Sequence, residues 1–157
     1  MHRVLVSGWR LALVLAALPT AVRGESRAVL DDFSDPARWQ VQAADGVDLH
    51  VSSEPQADGT GAALRLDFQF VTGAGYAGVR RAVPLELPTN FELAFSVRGD
   101  LPKNNLEVKL VDPGGENVWW VNRRGFEFPR EAVRLASRRR HFEFAWGPSS
   151  APLSHAS

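Results

Sequence analysis

Apolar and polar side chains alternate along most of this chain in short runs, and the period is two. Leu106, Val108 and Leu110 alternate with Glu107 and Lys109, and after Asp112, Pro113, Gly114 and Gly115 the return arm separates Val118 and Trp120 from Trp119 and Val121. Successive residues of a strand point to opposite faces, so the stretch from Asn104 to Pro129 reads as a hairpin with one indole in a core and its neighbour facing elsewhere. Proline's fixed φ, two permissive glycines and an Asx side chain supply the reversal.

The same pattern recurs in AVLDDF, in Trp39, Val41 and Ala43, in Val47, Leu49 and Val51, and in Leu64, Leu66, Phe68 and Phe70. It continues in Phe91, Leu93, Phe95 and Val97, in Val133 and Leu135, and in Phe142, Phe144 and Trp146. Asp45-Gly46 is a hairpin-turn dipeptide and predicts that the strand of Trp39 pairs with the strand of Val47. AGVRRAVPLELP reads as a strand that Pro84 confines to an edge or a bulge. Trp39 and Trp146 lie in phase with apolar neighbours and read as core. Short alternating strands bounded by Gly, Pro, Asp or Asn, with no long 3.6-residue period, predict an all-β antiparallel sandwich or barrel, with the jelly roll as preferred form. Residues 148 to 157, reading PSSAPLSHAS, are small and polar and predict a disordered tail.

The N-terminus departs from this pattern. Val4 to Leu18 is mostly apolar behind Arg3, with LALVLAAL at its centre and small residues after Pro19, the profile of a secretory signal peptide. Cleavage after Gly24, with Val22 at the −3 position, makes 1–24 the signal and 25–147 a single domain. The run is shorter than the ~20 apolar residues of a membrane span and contains Arg10, so export without a stable membrane anchor is the expectation. Eighteen basic and eighteen acidic residues leave no net field to attract nucleic acid. The run Arg138, Arg139, Arg140 suits a solvated strand edge. The chain has no cysteine, which excludes disulfides and thiolate metal sites.

The order LDDFSDPARWQ, LRLDFQF, a Gly-rich loop, FELAFSVRGD, LEVKLVDPGGENVWWVNRRGFEFP and HFEFAWGP resembles the galactose-binding-like β-sandwich modules of exported bacterial proteins. These are also described as discoidin-like or coagulation-factor type C domains, and they are similar to carbohydrate-binding modules. The resemblance spans about Leu30 to Pro148, and its most specific pieces are NVWWVNRR and FEFAWG. It implies a non-catalytic, polysaccharide-binding module derived from a larger glycan-processing enzyme such as a glycoside hydrolase. Such modules continue past this point into a closing strand, whereas here PSSAPLSHAS follows; a truncated sandwich lacking its closing strands is implied, with self-association through an unpaired sheet edge.

Sugar recognition needs an aromatic ring under the pyranose C–H face and planar polar groups around its hydroxyls. Trp119 or Trp120 is the candidate platform, with Asn117, Asn122, Arg123 and Arg124 beside it and Glu107 and Lys109 on the preceding strand. Gln69 and Arg65 project from the polar face of another strand. Asp31 and Asp32 are candidate ligands for a structural calcium ion, which takes hard oxygen donors, although adjacent strand residues point to opposite faces. A glycoside hydrolase in its own right would need two carboxylates ~5 to 9 Å apart. A sandwich of this size can place Glu92 and Glu107 on neighbouring strands, but nothing in their pattern distinguishes them from a solvated sheet face. GAGYAG lacks a following helix and is a loop. A protein–protein adhesion or assembly module is the remaining class. An exposed indole on a concave polar face favours glycan, and one in a flat apolar patch favours a protein partner.

Overall fold

The computed structural model describes residues 1–13, 26–56, 59, 61–148 and 153. Among these the chain forms β1 (His2–Leu13), β2 (Ser26–Asp31), β3 (Gln40–Ala43), β4 (Val47–Pro55), β5 (Ala62–Phe70) and β6 (Ala77–Arg80). It continues through β7 (Phe91–Asp100), β8 (Asn104–Val111), β9 (Val118–Phe126), β10 (Val133–Arg138) and β11 (Glu143–Trp146). The only helical elements described are two single 3₁₀ turns, Pro36–Arg38 and Arg139–His141. No helix among the described residues is long and apolar enough to cross a membrane. The protein is an all-β antiparallel sandwich. One sheet runs β10-β7-β1-β5-β4 with β2 added beside β1, a second runs β11-β9-β8, and β3 pairs with β6 as a ribbon.

Alternation places the core where the pattern requires it. Phe91, Leu93, Leu110, Trp119 and Phe142 bury together, joining β7 of the large sheet to β8 and β9 of the small one. Val4, Leu64, Leu66, Phe68, Phe95 and Val97 form a second cluster with Phe33 and Trp39. Val108 is packed against both clusters. Trp39 is core, as its phase predicts, and stacks on Phe33 with ring centroids 5.6 Å apart. Phe33 holds φ +59°, the left-handed region that a bulky residue seldom enters. The surroundings fix it there. Its N–H donates to Asp31 Oδ1 at 2.6 Å, and its carbonyl accepts from Ser53 Oγ at 2.7 Å.

Three pairings differ from the sequence expectation. Asp45-Gly46 does reverse the chain, with Gly46 at φ +77°, but its two arms do not form a hairpin. β4 instead pairs with β5 from Val47↔Phe70 to Pro55↔Ala62, and β3 pairs with β6 from Gln40↔Arg80 to Ala43↔Ala77. The Gly46 carbonyl accepts from Val71 N at 2.8 Å, which ties the turn to the end of β5 instead. In AGVRRAVPLELP only Ala77–Arg80 forms a ladder; the segment holding Pro84 and Pro88 pairs with no strand, while Leu87 still reaches the core.

The third difference is at the N-terminus. β1 lies inside the large sheet, antiparallel to β7 along one side and to β5 and then β2 along the other. The expected cleavage position at Gly24 lies outside the described residues. Of the expected tail, Leu153 is buried in the core and its carbonyl accepts from Arg139 Nη2 at 3.1 Å; residues 149–152 and 154–157 lie outside the described residues.

Candidate functional site

The hairpin of β8 and β9 is built on its turn. Asp112 accepts from the backbone N–H groups of Glu116 and Asn117 at 2.9 and 3.1 Å and from Asn117 Nδ2 at 2.7 Å. The Asn117 amide and then these backbone donors hold the Asp112 carboxyl below its ordinary value. The turn sets the register Leu110↔Trp119, Lys109↔Trp120, Val108↔Val121 and Glu107↔Asn122. Trp119 therefore shares the face of Leu110 and is buried, while Trp120 shares the face of Lys109 and Glu107 and is half-buried. The parity of the two indoles, open in the sequence, is settled by the partner strand.

β11 completes the face. Glu143 lies opposite Trp120 and Phe144 opposite Trp119, and then the register shifts so that Trp146 lies opposite Val118. The extra residue, Ala145, is a β-bulge. Strict alternation would put Trp146 on the face of Phe142 and Phe144; the bulge turns it to the face of Trp120. Trp146 is 47% exposed and its ring meets that of Trp120 edge to face, 5.8 Å between centroids at 85°. The expectation that Trp146 is core is thus corrected, and the cause is one inserted residue.

The Lys109 ammonium stands 5.1 Å from the Trp146 ring centroid and 5.7 Å from that of Trp120, within reach of both quadrupoles. It also pairs with Glu107 at 2.9 Å. Asn122 faces Glu107 across the ladder, and its side-chain carbonyl is buried without a hydrogen-bond partner. An unpaired buried acceptor costs on the order of 1–3 kcal/mol unless something supplies a donor. Two indoles, an ammonium, two carboxylates and an amide thus share one outer face. They offer apolar ring surface and both hydrogen-bond polarities in an open arrangement.

The other candidates fall elsewhere. Asn117 is engaged in the turn with Asp112. Arg123 lies opposite Leu106, on the leucine's face, and Arg124 is exposed near the far end of β9. Gln69 is exposed on β5 opposite Asp48, in the large sheet. Arg65 is committed to Glu54 and to Asp67, the latter at 2.6 Å. Asp31 and Asp32 do not fit a calcium cage. Asp31 is buried against the guanidinium of Arg81, so a cation is already beside it, and Asp32 is exposed and accepts from Ser34 Oγ at 2.7 Å. Among the described residues no three His, Asp or Glu side chains gather as metal ligands would. The carboxyl of Glu92 is held below its ordinary value first by hydrogen bonding to Arg134, then by Arg138, and it lies on β7 of the large sheet while Glu107 lies on β8 of the small one.

Sequence reasoning missed Trp146 and Glu143 as members of this face. Alternation turns Glu143 outward without naming β9 as its partner, and it puts Trp146 on the wrong face because the bulge between Phe144 and Trp146 breaks the period. The chain matches no family model, no curated protein and no solved structure.

Proposed function

We propose that the outer face of β11, β9 and β8 binds polysaccharide and that the protein is an exported, non-catalytic carbohydrate-binding module. One observation carries the reading: the edge-to-face pair of Trp120 and Trp146, partly exposed and bordered by Lys109, Glu107, Glu143 and Asn122. Indole faces suit pyranose C–H surfaces, while the ammonium, carboxylates and amide suit hydroxyls. An open face accepts a chain that extends beyond it, which favours a polymer over a small enclosed ligand. The family resemblance, its jelly-roll winding and the signal-like leader belong to the same reading.

Affinity electrophoresis of the folded protein through gels containing soluble polysaccharides tests it. Retardation by at least one polysaccharide is expected for the parent, and Trp146→Ala should abolish it while leaving the circular dichroism spectrum unchanged. A well-folded parent that no polysaccharide retards sinks the proposal and leaves the adhesion reading, in which the same indoles meet a protein.

A further inference from the structure

The N-terminal strand is built into the sheet in a way its sequence does not announce. Val6 lies in register with Val97 on one side and Leu64 on the other, and Val4 with Gly99 and Leu66. Val4 is buried, and Val6 packs against the same cluster, in which Leu64 and Val97 are almost wholly inaccessible. Arg3 lies between Asp67 and Asp100 in register, and its Nε is 3.3 Å from Asp67 Oδ1. Gly99 presents no side chain opposite Val4, and a Cβ there would come within 3.0 Å of the Arg3 carbonyl. Without β1, the backbone of β5 from Ala63 to Phe68 and one edge of β7 would lose their ladder partners while still flanking an apolar floor.

We propose that the space between β5 and β7 is a strand-acceptor site. In the intact chain His2–Leu13 fills it in cis. When that strand is displaced, the site takes the same strand from a second copy of this chain, antiparallel to both neighbours, with small branched apolar residues two apart over Leu64, Leu66 and Val97 and a cation one residue before the first of them. Main-chain hydrogen bonds on two sides supply the affinity, the apolar floor sets which face turns inward, and Asp67 with Asp100 fixes the register. The proposal is independent of sugar binding, since it concerns the other sheet.

The test uses the full chain with a site-specific protease sequence in place of residues 19–24. After cutting, the N-terminal fragment should remain with the body through gel filtration, and a labelled synthetic peptide HRVLVSGWRLAL in excess should replace it. The same peptide with Arg3→Glu should bind at least about tenfold more weakly, a loss of ~1.4 kcal/mol. Val4→Asp in the intact chain should speed uptake of the labelled peptide by loosening the strand held in cis. A body that releases the fragment and still melts at the temperature of the intact chain overturns the proposal. So does a body that unfolds on release and is not restored by the peptide, or one that takes up a scrambled peptide equally well.

Discussion

The outward faces of the two sheets make opposite use of polar residues. On the large sheet they satisfy one another. Arg65 bonds Glu54 and Asp67, Arg3 also reaches Asp67, and Glu92 on β7 is held between Arg134 and Arg138. The small sheet sets two partly exposed indoles among polar groups, with Lys109 paired to Glu107 and the Asn122 carbonyl left without a partner. A face whose charges are already matched has little to offer a neutral polyol, whereas apolar ring surface beside an unmatched acceptor gains by being covered. The two faces thus differ in how far their polar groups satisfy one another.

The sharpest way to break this contrast is to compare neighbouring tryptophans. Trp119→Ala should destabilise the fold by about 3–5 kcal/mol in urea unfolding, because it empties the core between β7 and β9. A smaller effect should separate the sheets by pH. The folded-state value of Glu92 is lowered from the ordinary 4.5, chiefly by Arg134. That of Asp67 is lowered from 3.8; burial opposes the change, and hydrogen bonds from Arg65 and then Arg3 outweigh it. Stability from both is fully present above those unfolded values and is lost as pH falls through the lower folded ones. Melting temperature should therefore drop below about pH 4, and Glu92→Gln should flatten part of that drop while polysaccharide binding at neutral pH is unchanged.

Trp146→Ala should cost only about 0.5–1.5 kcal/mol in stability, the worth of an aromatic pair, yet remove binding. Equal losses of stability from Trp119→Ala and Trp146→Ala would erase the distinction between core and face. The smallest change should come from Asn122→Val. By deleting an unpaired buried carbonyl and placing a β-branched residue in a strand, it should be neutral or stabilising by about 1 kcal/mol in the same unfolding assay. Affinity electrophoresis should nonetheless show weaker retardation.

Much of the fold was legible because alternation is a local property. The hairpin from Asn104, the strands of Leu64 and Phe91, and the burial of Trp39 all follow from side chains two apart. Partner choice is not local. Asp45-Gly46 names a turn without naming which strands meet beyond it, and β3 finds β6 across the whole of β4 and β5. The leader carried a composition that fits an export signal and, equally, a central strand, since both require a run of apolar residues. The candidate site was half legible: counting puts Trp120 with Asn122 on one strand and Lys109 with Glu107 on the other, but only the register joins the two pairs, and Arg123 falls on the opposite face and Gln69 in another sheet. Asp31 could not be read as Arg81's partner, because fifty residues separate them in the chain.

The bulge at Ala145 carries a further consequence, for alignment. In register, Phe144 already opposes Trp119 and Trp146 already opposes Val118, so Ala145 is the residue the ladder does not use. A relative one residue shorter here would keep both indoles side by side, and its sequence would then alternate correctly from Glu143 to Trp146. Matching such a chain to this one without a gap would pair the exposed tryptophan with the wrong neighbour; a gap opposite Ala145 is the alignment that preserves the surface.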